Sequence, residues 1–191
     1  MANLQDKPAL LTFGHGTAGA DELARLIREA GIEQLVDVRT VPKSRRHPHF
    51  WREEMEGWVP ELSGSAYLWR PALGGFRPVH RESRNVALRN PSFRAYADYM
   101  ETEAFGSALD ELLAGAARTR TAIMCSETLW WRCHRRLISD AAELLHGVEV
   151  QHLMHDGKLR PHIRTAGVRA TADGALRYDV LFDDAADSAP A

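Results

Sequence analysis

The sequence predicts an α/β fold: a mainly parallel sheet of about four to five strands, helices on both faces, and a long irregular insertion. Short apolar runs alternate with helical patterns along the chain, the order that builds parallel sheets through right-handed crossovers. The first two runs bracket a single amphipathic helix. The section from Arg39 to about Pro91 fits neither pattern, with five of the nine prolines falling between those two residues, beside the pair Gly74-Gly75.

Pro8 to Gly14 is a short apolar run ending in glycine and reads as a buried strand. Asp21 to Ala30 places Leu23, Leu26 and Ile27 on one helical face, with acidic residues in the first turn and Gly31 as a stop. Gln34 to Val38 is the second strand. Within the insertion, a short helix is expected near Glu53–Leu62 and a short strand near Ala66–Trp69, because a long structureless loop is improbable in a compact domain. Helices follow at Ser92–Met100, begun by Asn90 or Pro91, and at Phe105–Ala117, with Phe105, Leu109, Leu112 and Leu113 on one face. Arg120–Cys125 reads as a third buried strand, Arg132–Leu145 as a helix stopped at Gly147, and Val148–Leu153 as a fourth. The remainder is expected to be less regular. One domain is expected over 1–183, with a disordered acidic tail at 184–191.

A chain of 191 residues with 45% hydrophobic and 26% charged residues buries a core without disulfides. Two cysteines do not make a disulfide framework, no cationic-then-apolar leader opens the chain, and no apolar run is long enough for a membrane helix. The expectation is a cytoplasmic protein with no membrane association. A net charge of −2 favours no partner class by itself.

Ligands of parallel sheets sit at the carboxyl ends of the strands. Three predicted strand ends carry polar groups: His15 between two glycines, Asp37 and Arg39, and Cys125 to Glu127. Cys125 leads through a loop into Arg132, Cys133, His134, Arg135 and Arg136. A loop entering a helix N-terminus beside arginines suits an anion and lowers a nearby thiol's pKa; equally, Cys125 can simply end a buried strand. Glu127 can act as a general base or hold an arginine, and His134 can be catalytic or cap the helix. Cys125, Cys133 and His134, with a fourth group such as His15, have the donors for zinc. Their spacing fits neither a finger nor a ribbon, nor a deaminase pattern, so neither metal nor other cofactor is expected.

Cations and aromatic rings mix in Ser44–Arg52, which holds Arg45, Arg46 and Trp51, and again around Trp131 and Arg132. Cationic grooves with stacking rings hold nucleotides and single-stranded nucleic acid. A phosphate-bearing ligand, a nucleotide or nucleic acid, is therefore the expected partner, and the aromatic-rich middle section leaves room for a homodimer.

These residues together resemble the domain of unknown function 488 family. The matching pieces are TFGHG, LVDVRTVPKSRRHPHF, Leu73-Gly74-Gly75, FRAYADYM, and CSETLWWRCHRRLISD followed by VEVQHL. The resemblance implies an α/β fold and a shared site from His15, Asp37, Arg39, Cys125, Glu127, Cys133, His134 and Arg135. It implies no reaction, since the family is named for lacking one. The family's first motif often has serine where this chain has Gly16, so a step using a hydroxyl there does not carry over.

Three functions compete. The first is a hydrolase acting on a nucleotide or nucleic acid, base excision being its most concrete form, with Asp37 or Glu127 as carboxylate and His15, Arg39, Arg45, Arg46, Trp51, Trp131, Arg132 and Arg135 binding the ligand. The second is thiol chemistry at Cys125, in a loop that loosely resembles rhodanese and phosphatase cradles but is longer and lacks glycine. The third is a binding module without catalysis.

Overall fold

All five residues of the first strand are buried, as they must be when helices cover both faces of a sheet. The structure is a computed structural model and describes residues 9–80 and 82–181. Pro8 and the expected tail lie outside the described residues.

In chain order the elements are β1 (Leu10–Gly14), α1 (Ala20–Glu29), β2 (Gln34–Asp37), α2 (Arg52–Trp58), β3 (Ala66–Trp69), α3 (Pro91–Tyr99), α4 (Glu103–Ala116), β4 (Thr121–Cys125), α5 (Arg135–His146), β5 (Val150–Leu153), β6 (Leu159–Pro161), β7 (Val168–Ala170) and β8 (Leu176–Tyr178). One sheet has the order β3-β2-β4-β1-β5-β6. Its first five strands pair in parallel, and β6 runs antiparallel to β5. The fold class is as the sequence predicts, with six strands in place of four to five. The addition is β6, three exposed residues too short to show a pattern.

Side chains alternate across the sheet and divide the core in two. Leu11, Phe13, Leu35, Ala122 and Met124 face α1, α2 and Phe50. Leu10, Val36 and Ile123 face α3, α4 and α5. The connection after β1 therefore leaves toward one face and the connection after β4 toward the other. Adjacent strands with diverging connections open a crevice at their carboxyl ends.

Helix ends follow the local chemistry. The Asn90 side chain accepts a hydrogen bond from the Ser92 amide at 2.8 Å, with Pro91 in the first position. Thr102 caps α4 through the Phe105 amide, so α4 begins at Glu103, two residues before the expected start. The expected helix from Arg132 begins only at Arg135. Trp130–Arg132 forms a separate 3₁₀ turn, and Cys133 is extended at φ −122° and ψ 151°.

The insertion contains α2, a π-helical turn at Val59–Ser63 and β3. Tyr96 and Tyr99 fasten its end by donating to the carbonyls of Leu73 and Ala72 at 2.8 and 2.7 Å. The C-terminal section, expected to be less regular, forms the β7-β8 ribbon. Leu176 and Tyr178 bury into the core beside α3 to α5, which holds strands too short to stand alone. No helix of the described residues is long and apolar enough to cross a membrane.

Candidate functional site

The three polar strand ends meet. Gly14 lies opposite Cys125, and Asp37 opposite Met124, so β1, β4 and β2 finish level. The pairing continues into the loops: the His15 and Gly16 amides donate to the carbonyls of Cys125 and Ser126, both at 2.9 Å. A built Cβ on Gly14 would stand 1.9 Å from the Glu127 carbonyl oxygen, so glycine is what lets the two chains pass. On the side of α3 and α5 the crevice opens into a hollow of about 360 Å³, whose lining includes Arg39, Phe76, Phe93, Cys125, Glu127, Arg132, Cys133 and His134.

Asp37 does not reach that hollow. It is fully buried, accepts from Arg39 through both carboxylate oxygens at 2.5–3.1 Å, and accepts from the Tyr67 hydroxyl at 2.6 Å. Its lone pairs serve to hold Arg39, so the structure places Asp37 as an anchor beneath the strand ends and not in the hollow. Burial and the Asp37 charge push the Tyr67 phenol well up, keeping it a donor. Arg39 also reaches His15, whose Nε2 lies 3.3 Å from Nη1. Since Arg39 only donates, Nε2 accepts, and the Nδ1–H of His15 donates to the Gly16 carbonyl at 3.0 Å. Burial and the Arg39 charge lower the His15 pKa to about 3, so the ring is a neutral spacer stacked on Phe50.

Arg135 likewise lies beneath the hollow and not in its lining. It is 1% exposed, and its guanidinium donates to the Glu127 carbonyl, to Thr12 Oγ1 at 3.2 Å and to Cys133 Sγ at 3.4 Å. It binds the loop and the strand beneath the hollow. Arg45, Arg46 and Trp51 do not line the hollow either. The Trp51 indole donates to the Ser44 carbonyl at 2.7 Å, folding that segment on itself, and Phe50 anchors it to the opposite core. Trp131 lines a neighbouring hollow of about 490 Å³ with Trp130 and Phe93.

Cys125, Cys133 and His134 do meet. His134 Nδ1 is 3.9 Å from Cys125 Sγ and 3.6 Å from Cys133 Sγ. The hydrogen bond to Cys133, then burial, push the Cys125 thiol well up. Burial would raise Cys133 as well, but the Cys125 hydrogen bond, His134 and Arg135 together hold it well below the ordinary range. The Gly74-Gly75 loop crosses His134 closely enough that a Cβ on Gly75 would lie 2.4 Å from Nδ1.

Glu127 and Arg132 are different in kind. Both are exposed, both line the hollow, and neither side chain has a hydrogen-bond or ion-pair partner among the described residues.

A buried chain of hydrogen bonds underlies the site. Thr12 Oγ1 is 2.7 Å from His152 Nδ1, His152 Nε2 is 3.0 Å from His162 Nδ1, and His162 Nε2 is 2.9 Å from Asp140. Because the Asp140 carboxylate only accepts, His162 Nε2–H donates to it, and rings carrying one N–H each pass that direction back to the Thr12 hydroxyl; Asp140 also accepts from Tyr178 at 3.0 Å, and Thr12 Oγ1 from Arg135. Burial, His162 and Arg135 lower the His152 pKa to about 3, in keeping with a neutral ring, and Trp130 stacks on it at 4.1 Å.

Sequence reasoning missed Phe76, Phe93 and this histidine chain. Phe93 and Gly75 lie in or beside the stretches FRAYADYM and Leu73-Gly74-Gly75, which were visible as motifs but gave no sign of facing Cys125. His152 and His162 flank a turn and carry no spacing signal.

The family model described as Domain of unknown function DUF488 matches residues 19–142, about two thirds of the chain. No curated protein and no solved structure matches it.

Proposed function

The chain belongs to the family described as Domain of unknown function DUF488, and from that premise we propose that it is a hydrolase acting on a nucleotide or nucleic acid at the hollow beside the end of β4. One observation carries this reading: Glu127 and Arg132 line the same hollow, unpaired among the described residues, beside the rings of Phe76 and Phe93. An unpaired carboxylate and an unpaired guanidinium at the mouth of a hollow are groups left for a ligand. Arg132 suits a phosphate, the rings suit a base, and Glu127 is the carboxylate that positions water or stabilises positive charge at a glycosidic bond. With Asp37 committed to Arg39, that role rests on Glu127 alone. Release of a modified base is the form of hydrolysis these groups fit.

Cys125 as a nucleophile fits less well, because the contact with Cys133 and burial push its thiol well up. The test is turnover of a panel of modified nucleotides and damaged DNA duplexes by the purified chain. Release of a base or phosphate from at least one is expected. No turnover on any, combined with no phosphate-dependent binding, contradicts the reading, whereas tight binding of an unchanged ligand makes the protein a binding module.

A further inference from the structure

We propose that Cys125, Cys133 and His134 form a site for a thiophilic divalent cation of the zinc class, with a fourth coordination position open to the hollow. Their donor atoms all lie within 4.8 Å of one another. The two sulfur–nitrogen separations are 3.6 and 3.9 Å. They are close to the edge of a coordination tetrahedron: bonds of about 2.3 Å to sulfur and about 2.0–2.1 Å to nitrogen at tetrahedral angles put those atoms about 3.5 Å apart.

The donors suit such an ion. Two thiolates and an imidazole select zinc-like metals over magnesium or calcium, and two cysteines with one histidine and an open position is a composition of catalytic rather than structural zinc. The placement is fixed by the fold. Cys125 ends β4 in register with Gly14, while Cys133 and His134 lead into α5. A strand end and a helix start bring the donors together without the close cysteine pairs of fingers and ribbons, which is why spacing in the sequence argues against a metal here. The Arg135 Nε–H on Cys133 Sγ is the kind of outer hydrogen bond that orients a metal-bound thiolate. Binding would release the thiol protons still held by the pair to solvent, leaving both sulfurs bonded to the metal. A water in the fourth position would be acidified and would share the hollow with Glu127. The cation site itself does not depend on the hydrolase reading.

The test uses the purified full chain, reduced and freed of metal with a chelator, titrated anaerobically with Co²⁺. One equivalent is expected to produce thiolate-to-cobalt charge transfer and the intense visible bands of four-coordinate cobalt, both abolished by Zn²⁺. Zinc is also expected to protect both thiols of the unaltered protein from alkylation, a readout that needs no variant. Cys125→Ser and Cys133→Ser should each weaken binding beyond the about 10–100-fold cost of losing an outer partner. Absence of the charge-transfer band at saturating cobalt, or thiols alkylated equally with and without zinc, overturns the proposal, as does Cys133→Ser binding cobalt unchanged. Cobalt bands without turnover on any nucleotide substrate would uphold the site and sink the hydrolase. Turnover without the bands would do the reverse.

Discussion

Arg135 donates its Nε–H to the sulfur of Cys133 at 3.4 Å from a position where the arginine is only 1% exposed. The other two nitrogens of the guanidinium hold Thr12 on β1 and the carbonyl of Glu127. One side chain thus ties together the strand, the loop and the Cys133 sulfur that border the hollow, and its charge favours the deprotonated sulfur.

Replacing that fork with a single ammonium should be expensive. Arg135→Lys is expected to lower unfolding free energy by about 2–5 kcal/mol, the range for hydrogen bonds to a buried charge left unmade. Urea denaturation measures the loss. In the same variant the pH profile of thiol alkylation should move upward, and an unmoved profile would mean that Arg135 does not set the thiolate.

Asp37→Asn separates a holding role from a reacting one. The substitution leaves the Arg39 charge buried without its carboxylate, at a cost of about 3–5 kcal/mol. Chemical denaturation should show that loss. An Asp37→Asn protein of unchanged stability would contradict the buried pair.

Stability should fall as the medium is acidified below pH 6.5. His15 and His152 both have folded pKa values of about 3 against an ordinary 6.5. Between those values the unfolded chain binds more protons than the native one, so this contribution is complete above pH 6.5 and is lost as pH drops toward 3. Each histidine should remove about 1.4 kcal/mol per pH unit within the window. Urea midpoints between pH 7 and pH 4.5 test the slope, and a flat profile would contradict the two neutral rings.

Gly75→Ala should disturb His134 directly. Its Cβ would sit 2.4 Å from Nδ1 and 2.5 Å from Cγ, with the 74–75 loop forced off the ring. Overpacking of this kind costs about 1–3 kcal/mol. Thermal unfolding should report that loss, and a variant as stable as the parent would show that the loop moves freely.

The sequence made the strand ends legible because their signals are local. PALLTFG, QLVDV and RTAIMC are compact apolar runs, and each is followed by residues that a core would not choose. That these three runs lie side by side follows from crossover rules, and so the neighbourhood of His15, Asp37, Arg39, Cys125 and Glu127 could be read in advance. What each side chain does there could not. Asp37 and Glu127 are both acidic residues at strand ends, and only the contacts of Tyr67 and Arg39 make one a buried anchor and leave the other free. Arg135 and Arg132 differ in the same way, because the direction of a side chain at a helix start depends on where the 3₁₀ turn ends. Arg45, Arg46 and Trp51 looked like ligand groups by composition, yet they do not line the hollow, and Phe50 in the same segment packs into the core under α1 and α2. The β7-β8 ribbon was invisible because three-residue strands carry no period.

The most direct measurement compares Glu127→Gln with the unaltered protein on whichever nucleotide or duplex substrate is turned over. Glu127 is exposed and unpaired within the described residues, so the substitution should leave the unfolding midpoint unchanged. If Glu127 performs the chemistry at the hollow, kcat should fall by about 100-fold or more. Full turnover by a folded Glu127→Gln protein would contradict the account.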